Sequence, residues 1–158
     1  FENTRGLVCI EGTVTRAGDD SMRNAPVIYI VVPCYNEEEV LPLTAEFLGK
    51  KLDDLTRSRR IHPGSRVLMV DDGSKDRTWK LIEELHEKDE RFAGVKLSRN
   101  RGHQNALLAG LFEAARRRCD AAISMDADLQ DDVDACDAMI EYHVGTVIDS
   151  HGVRDVMD

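Results

Sequence analysis

The 158-residue chain carries 30 acidic against 21 basic side chains, a net charge of −9, with 42% hydrophobic residues. That is enough apolar material for one domain with a real core. It is the wrong charge balance for a general nucleic-acid binder, which needs a basic face to displace counterions, so no nucleic-acid partner is expected.

In chain order, residues 1–25 are polar and glycine-spotted without a period, an N-terminal extension expected to be loosely ordered or to contribute a hairpin. They hold no apolar signal-peptide core. Residues 26–33, "PVIYIVVP", are an unbroken apolar run that predicts a strand covered on both faces. This run is also the longest strongly apolar stretch, far too short to span a bilayer. Residues 37–55 carry Val40, Leu41, Phe47, Leu48 and Leu52 amid charge, which predicts a helix with Pro42 near its first turn. Residues 65–74 predict a second buried strand ending in acid and a glycine turn. A helix follows over 75–89, with Trp79, Ile82 and Leu85 at helical spacing. Residues 92–98 predict a third strand. The helix predicted over 102–118 has an apolar face of Leu107, Leu108, Leu111, Phe112 and Ala115. A fourth strand is predicted at 120–126, a further helix at 132–145 and a last apolar piece at 146–149.

This alternation predicts an α/β layered domain with a largely parallel sheet. Ligands of such sheets bind beyond the carboxyl ends of the strands. Here those ends read "PCYNEE", "DDGS", "SRNRGH" and "DADLQDD", all rich in hydrogen-bonding or charged groups. Of the four cysteines, Cys34 and Cys119 sit in or beside apolar runs and are expected to be buried free thiols; Cys9 and Cys136 form no Cys-x-x-Cys or zinc-like spacing with them.

In "DADLQ", residues two apart share a side of an extended segment, so Asp126, Asp128 and Gln130 converge if the segment stays extended. Two carboxylates and an amide oxygen suit Mg²⁺ or Mn²⁺, with a diphosphate completing the shell. The competing reading is a solvated acidic turn that caps the next helix through Asp131 or Asp132. In "VDDGS", one of Asp71 and Asp72 is expected in the cleft, and Ser74 or Asp76 caps the following helix; the whole group also reads as turn chemistry alone. Tyr35 after the first strand suits stacking on a base, with Glu37 and Glu38 at the next helix's positive end; a core tyrosine with a capped helix start fits as well. Arg99, Arg101 and His103 precede a helix N-terminus, where phosphate oxygens are favoured. Arg116, Arg117 and Arg118 read as a solvated helix C-terminus.

"VVPCYNEEEVL", "VLMVDDGSKDRT", "LSRNRGHQNALLAGL" and "SMDADLQDD" together resemble the successive motifs of the inverting family-two glycosyltransferases, most of all the polyprenyl-phosphate branch of dolichyl-phosphate mannosyltransferases and bactoprenol glucosyltransferases. The resemblance implies a GT-A fold, a Rossmann-like three-layer α/β/α domain over residues 26–158 that is C-terminally incomplete. It implies a metal-dependent transfer of a hexose, with inversion, from a nucleotide-diphosphate sugar of UDP-glucose or GDP-mannose type to undecaprenyl or dolichyl phosphate. By position it assigns Pro33, Tyr35 and Glu37 to the nucleotide pocket, Val70 and Asp72 to base and ribose, and Asp126, Ala127, Asp128 and Gln130 to diphosphate and metal. Arg154 corresponds to a later arginine near the diphosphate or the acceptor phosphate, and is assigned with Asp128 to catalysis. It further implies a full-length protein at the cytoplasmic face of a membrane, of which this part is soluble, and a homo-oligomer is compatible with it. The chain departs from the branch where "DVDAC" replaces the usual prolines, and it ends at Asp158, before the acceptor-side region. A nucleotide-sugar-binding module without its own activity and a transferase to a polysaccharide are the alternatives. A phosphoacceptor receiver domain fails for want of any lysine after Lys96, and a nucleotidyltransferase for want of a glycine- and lysine-containing N-terminal phosphate loop.

Overall fold

The computed structural model describes the backbone of residues 7–9 and residues 25–128. The helix predicted at 132–145, the piece at 146–149 and Cys136 lie outside the described residues. Five strands are present among the described residues: β1 (Leu7–Cys9), β2 (Ile28–Cys34), β3 (Arg66–Asp71), β4 (Phe92–Lys96) and β5 (Ala121–Ser124). They form one sheet in the order β1-β5-β2-β3-β4. Strands β2 to β5 run parallel, with Ile30 opposite both Val67 and Ile123. The apolar run at 26–33 does become the central strand, buried along its whole length as a strand sandwiched between helices must be. From the extension, β1 pairs antiparallel with β5 at the sheet edge, Leu7 opposite Ile123.

Three helices connect the parallel strands: α1 (Leu41–Arg57), α2 (Thr78–Lys88) and α3 (His103–Arg116). The chain steps from β2 through α1 to β3, and through α2 to β4. Helix α3 then carries it back past β2 to β5. Crossovers of parallel strands keep one hand, so reversing the direction of travel puts α3 on the opposite face of the sheet. The result is three layers. Leu41, Leu48, Leu52 and Leu55 of α1 and Ile82 of α2 close over Ile30, Val67, Met69 and Ile123. On the other face Ala106 and Ala114 of α3 close over Val31, Leu68 and Val70. Replacing a buried residue such as Leu48 by alanine would cost about 2–5 kcal/mol. No helix of the described residues is long and apolar enough to cross a membrane.

The face of α3 differs from the predicted one. Ala106, Gly110 and Ala114 are the residues against the sheet, flanked by half-buried Leu107 and Leu111. Leu108 is 48% and Phe112 68% exposed. Close approach is the reason: a Cβ at Gly110 would run into the side chains of Val31 and Val70, so the backbone of α3 lies on the strands and large residues are turned outward. At the helix end, Arg116 and Arg117 both bond Glu113, at 2.6 and 2.8 Å, and hold its carboxyl down at about 2. Cys34 and Cys119 are buried free thiols, as their surroundings in sequence predict.

Candidate functional site

At the carboxyl ends of β2, β3 and β5 a cleft of about 400 Å³ opens. It lies at the switch point between β2 and β5, where the order of connection reverses. Pro33, Cys34, Tyr35 and Glu37 line it from the end of β2, and Asp72 from the end of β3. Asn100, Gly102, His103 and Ala106 line it from the approach to α3, and Asp126, Ala127 and Asp128 from the end of β5.

The aspartates at the end of β3 separate by strand parity. Asp71 is fully buried; its Oδ1 accepts from Ser74 N at 3.2 Å, and its Oδ2 has no partner among the described residues. Asp72 lines the cleft, its Oδ1 accepting from Arg101 N at 2.7 Å. Gly73 at φ 71° makes this possible, because a Cβ there would collide with the backbone of Arg99 and Asn100. Val70, assigned by the resemblance to base or ribose, is not among the residues lining the cleft. Two residues back along the strand, its side chain is fully buried beneath Gly110 of α3.

At the end of β5, Met125 N still bonds Val31 O, so the backbone stays extended past the last ladder pair. Met125 and Ala127 are buried in the α1-side core. The hydroxyl of Thr44 in α1 lies between the carbonyls of Val40 and Ala127 and fixes this turn. Asp126 and Asp128 are therefore left on the other side, half-exposed and exposed in the cleft.

Tyr35 is 41% exposed at the cleft edge. Contrary to the expectation, Glu37 and Glu38 are not in the first turn of α1, because the helix starts only at Leu41 and its first turn holds no acid. Glu37 closes a turn instead, its carbonyl accepting from Val40 N and Leu41 N. Its own N–H donates to the Thr78 hydroxyl at 2.9 Å. Glu38 serves the next helix: its Oε2 accepts from Arg77 N at 3.1 Å, while Asp76 accepts from Glu38 N at 3.2 Å and from Thr78 N at 2.9 Å. Asp76, one of the two predicted caps, thus does that work. Of Arg99, Arg101 and His103, His103 lines the cleft, and Arg101 contributes its backbone N–H to Asp72. Asn100, Gly102, Ala106 and Thr44 were not singled out in the sequence. Thr44 left one signal there, a hydroxyl on the otherwise apolar face of α1. Gln130, Arg154 and the alternative caps Asp131 and Asp132 lie outside the described residues.

The family model of glycosyl transferase family 2 matches residues 29–154. The chain belongs to that family. An uncharacterized glycosyltransferase, YkoT, of Bacillus subtilis is 50% identical over 84% of this chain and 39% of its own length. The undecaprenyl-phosphate 4-deoxy-4-formamido-L-arabinose transferase of Pectobacterium atrosepticum is 35% identical over 78% of this chain and 34% of its own. The chain thus spans little more than a third of these curated relatives. The crystal structure of S. aureus TarS superimposes with a TM-score of 0.54 over 74% of this chain and 20% of that one, at 21% identity, a likeness of fold. The architecture is the GT-A three-layer arrangement.

In this glycosyl transferase family 2 domain four carboxylates, of Glu37, Asp72, Asp126 and Asp128, meet one imidazole in the cleft lining. His103 Nε2 lies 3.8 Å from Asp126 Oδ1. Burial, and then the charges of Asp128, Asp76 and Asp126, push the Glu37 carboxyl above its ordinary value. That surplus of negative charge, on hard oxygen donors, fits a divalent cation. Among the described residues no three His, Cys, Asp or Glu side chains are grouped to hold one alone. Asp126 and Asp128 would therefore share the cation with oxygens of a ligand. The first turn of α3, beside the cleft, carries neither a capping side chain nor an acid, which leaves its N–H groups available to an anion. The Cys34 thiol is pushed up by burial and then by Glu37 and Asp71, which removes it as a nucleophile.

Proposed function

We propose that this domain is the donor-binding part of an inverting hexosyltransferase, which passes a hexose from a nucleotide-diphosphate sugar of UDP-glucose or GDP-mannose type to a polyprenyl phosphate. The observation that carries the reading is the pair Asp126 and Asp128, sharing one cleft with Asp72 and Tyr35 at the switch point of the sheet. The acceptor class is supported by the Pectobacterium relative, which is named for undecaprenyl phosphate. With a lipid acceptor, the whole protein works at a membrane surface, on its cytoplasmic side.

In this reading Tyr35 stacks on the base, Asp72 accepts a hydrogen bond from base or ribose, and Pro33 and Glu37 shape the pocket. Free N–H groups of the α3 first turn face the diphosphate. Asp126 and Asp128, with Gln130, would hold Mg²⁺ or Mn²⁺, which would supply positive charge against the leaving nucleoside diphosphate. The acceptor phosphate is already anionic at neutral pH, so its oxygen attacks the anomeric carbon without a strong general base. A new carbon–oxygen bond forms as the bond to the diphosphate breaks on the opposite side, which inverts the configuration. Arg154 adds positive charge near the phosphates.

Thermal melting with UDP-glucose and GDP-mannose, each with and without Mn²⁺, tests the reading. A ligand at 100 times its Kd adds about 2.7 kcal/mol of apparent stability. One of the two sugars is expected to raise the melting temperature by several degrees, and only with Mn²⁺. No shift from either would overturn it.

A further inference from the structure

Between the two cleft residues Tyr35 and Glu37 sits Asn36, with φ at 52°, in the left-handed region. Few non-glycine residues adopt that conformation, and asparagine does so most readily. Asn36 is exposed and does not line the cleft. Its hydrogen bonds run to a loop 38 and 39 residues away: Asn36 N donates to Ser74 Oγ at 2.9 Å, and Asn36 Oδ1 accepts from Lys75 N at 2.9 Å. Ser74 is anchored in turn, its N–H on Asp71 Oδ1. These bonds tie the segment bearing Tyr35 and Glu37 to the turn immediately after Asp72.

The left-handed kink at Asn36 turns the chain out of the line of β2 between Tyr35 and Glu37, both of which line the cleft. The reciprocal bonds give the kink a fixed register against Ser74 and Lys75. They also make the two loops one unit, so that the distance from Tyr35 to Asp72 is set before any ligand arrives.

We propose that Asn36 and Ser74 form a clasp that acts as a positioning device for the nucleotide, holding Tyr35, Glu37 and Asp72 in one arrangement without touching the ligand. The proposal rests on the reading of the cleft as a nucleotide site. Binding to a pre-arranged site avoids the ordering cost that two independent loops would incur. Loss of the clasp therefore appears in affinity, with little change in the global fold.

The test is calorimetric titration of UDP and of GDP, each with Mn²⁺, into the wild-type chain and four variants. Asn36→Ala removes the acceptor and disfavours the kink. Ser74→Ala removes the partner hydroxyl and leaves the backbone alone, so it serves should Asn36→Ala fold poorly. Asn36→Asp and Ser74→Thr keep an acceptor oxygen at each position. The expected result is affinity weakened about tenfold in both alanine variants, from the loss of a hydrogen bond and of pre-arrangement. Both conservative variants return to within about threefold of wild type, with melting curves of all folded variants alike. Alanine variants that bind as tightly as wild type, or conservative variants that fail to restore binding, overturn the clasp while the site reading stands. A wild-type chain that binds neither nucleotide overturns both.

Discussion

The ends of β3 and β5 each carry two aspartates, and the two pairs have opposite fates. At β3 they are adjacent, so the strand sends one to each face: Asp71 into the interior, Asp72 into the cleft. At β5 they are two apart and both reach the cleft, while Met125 and Ala127 fill the core on the other side. Asp72 accepts from Arg101 N, and Asp128 is exposed in the cleft. Spacing by one or two residues thus decides whether a pair of strand-end carboxylates divides between interior and cleft or lines the cleft together.

The contrast can be broken from beneath. Gly110→Ala puts a methyl into the side chains of Val31 and Val70 and lifts α3, and with it the turn that supplies Arg101 N to Asp72. The expected cost is about 1–3 kcal/mol in chemical denaturation; an unchanged midpoint would mean that the helix has room to spare. A smaller break comes at Asp72 itself. Asp72→Ala leaves the part-buried Arg101 N–H without its acceptor and should cost about 1–2 kcal/mol. Asp72→Asn keeps the acceptor and should stay within about 0.5 kcal/mol of wild type. Equal losses in both variants would show that charge, and not the hydrogen bond, holds the turn.

The smallest effect sharpens the β5 side. Glu37 has its carboxyl raised by burial and by Asp128, Asp76 and Asp126, so its charged form is disfavoured in the folded state. Wild type should therefore lose stability relative to Glu37→Gln as pH rises from the unfolded carboxylate value through the raised folded one, and the two should coincide at lower pH. Because Glu37 is partly solvated, the difference at neutral pH is expected below about 0.5 kcal/mol. Added Mn²⁺ should erase it if the cation neutralises the cleft. A difference that grows on acidification would contradict the sign of the shift.

Much of this was legible in the sequence because burial on both faces leaves so plain a trace. The runs around Ile30, Met69 and Ile123 contain almost nothing that water would favour, and each became a strand of the parallel sheet. Asp126 and Asp128 both line the cleft, as their two-residue spacing predicts for an extended segment, with the chain turning at 127–128. Helix α3 departs from the face its sequence predicts for a physical reason: close packing selects the small Ala106, Gly110 and Ala114, and hydrophobic size then points to the wrong side, at Leu108 and Phe112. The three-residue β1 edge strand leaves too short a pattern to find. The bonds from Asn36 and Glu37 to Ser74 and Thr78 were beyond reach for another reason, since only the fold brings residues 38 and 41 positions apart together.

The most direct measurement is the Mn²⁺-dependent affinity of the chain for UDP and GDP, compared between Asp128→Ala and Asp71→Asn. If parity assigns the ligands as described, Asp128→Ala abolishes the Mn²⁺-dependent part of binding, and Asp71→Asn, altered only in the interior, retains it. Metal-dependent binding that survives in Asp128→Ala, or that is lost in a folded Asp71→Asn, would contradict the assignment of the β5 aspartates as the cation site.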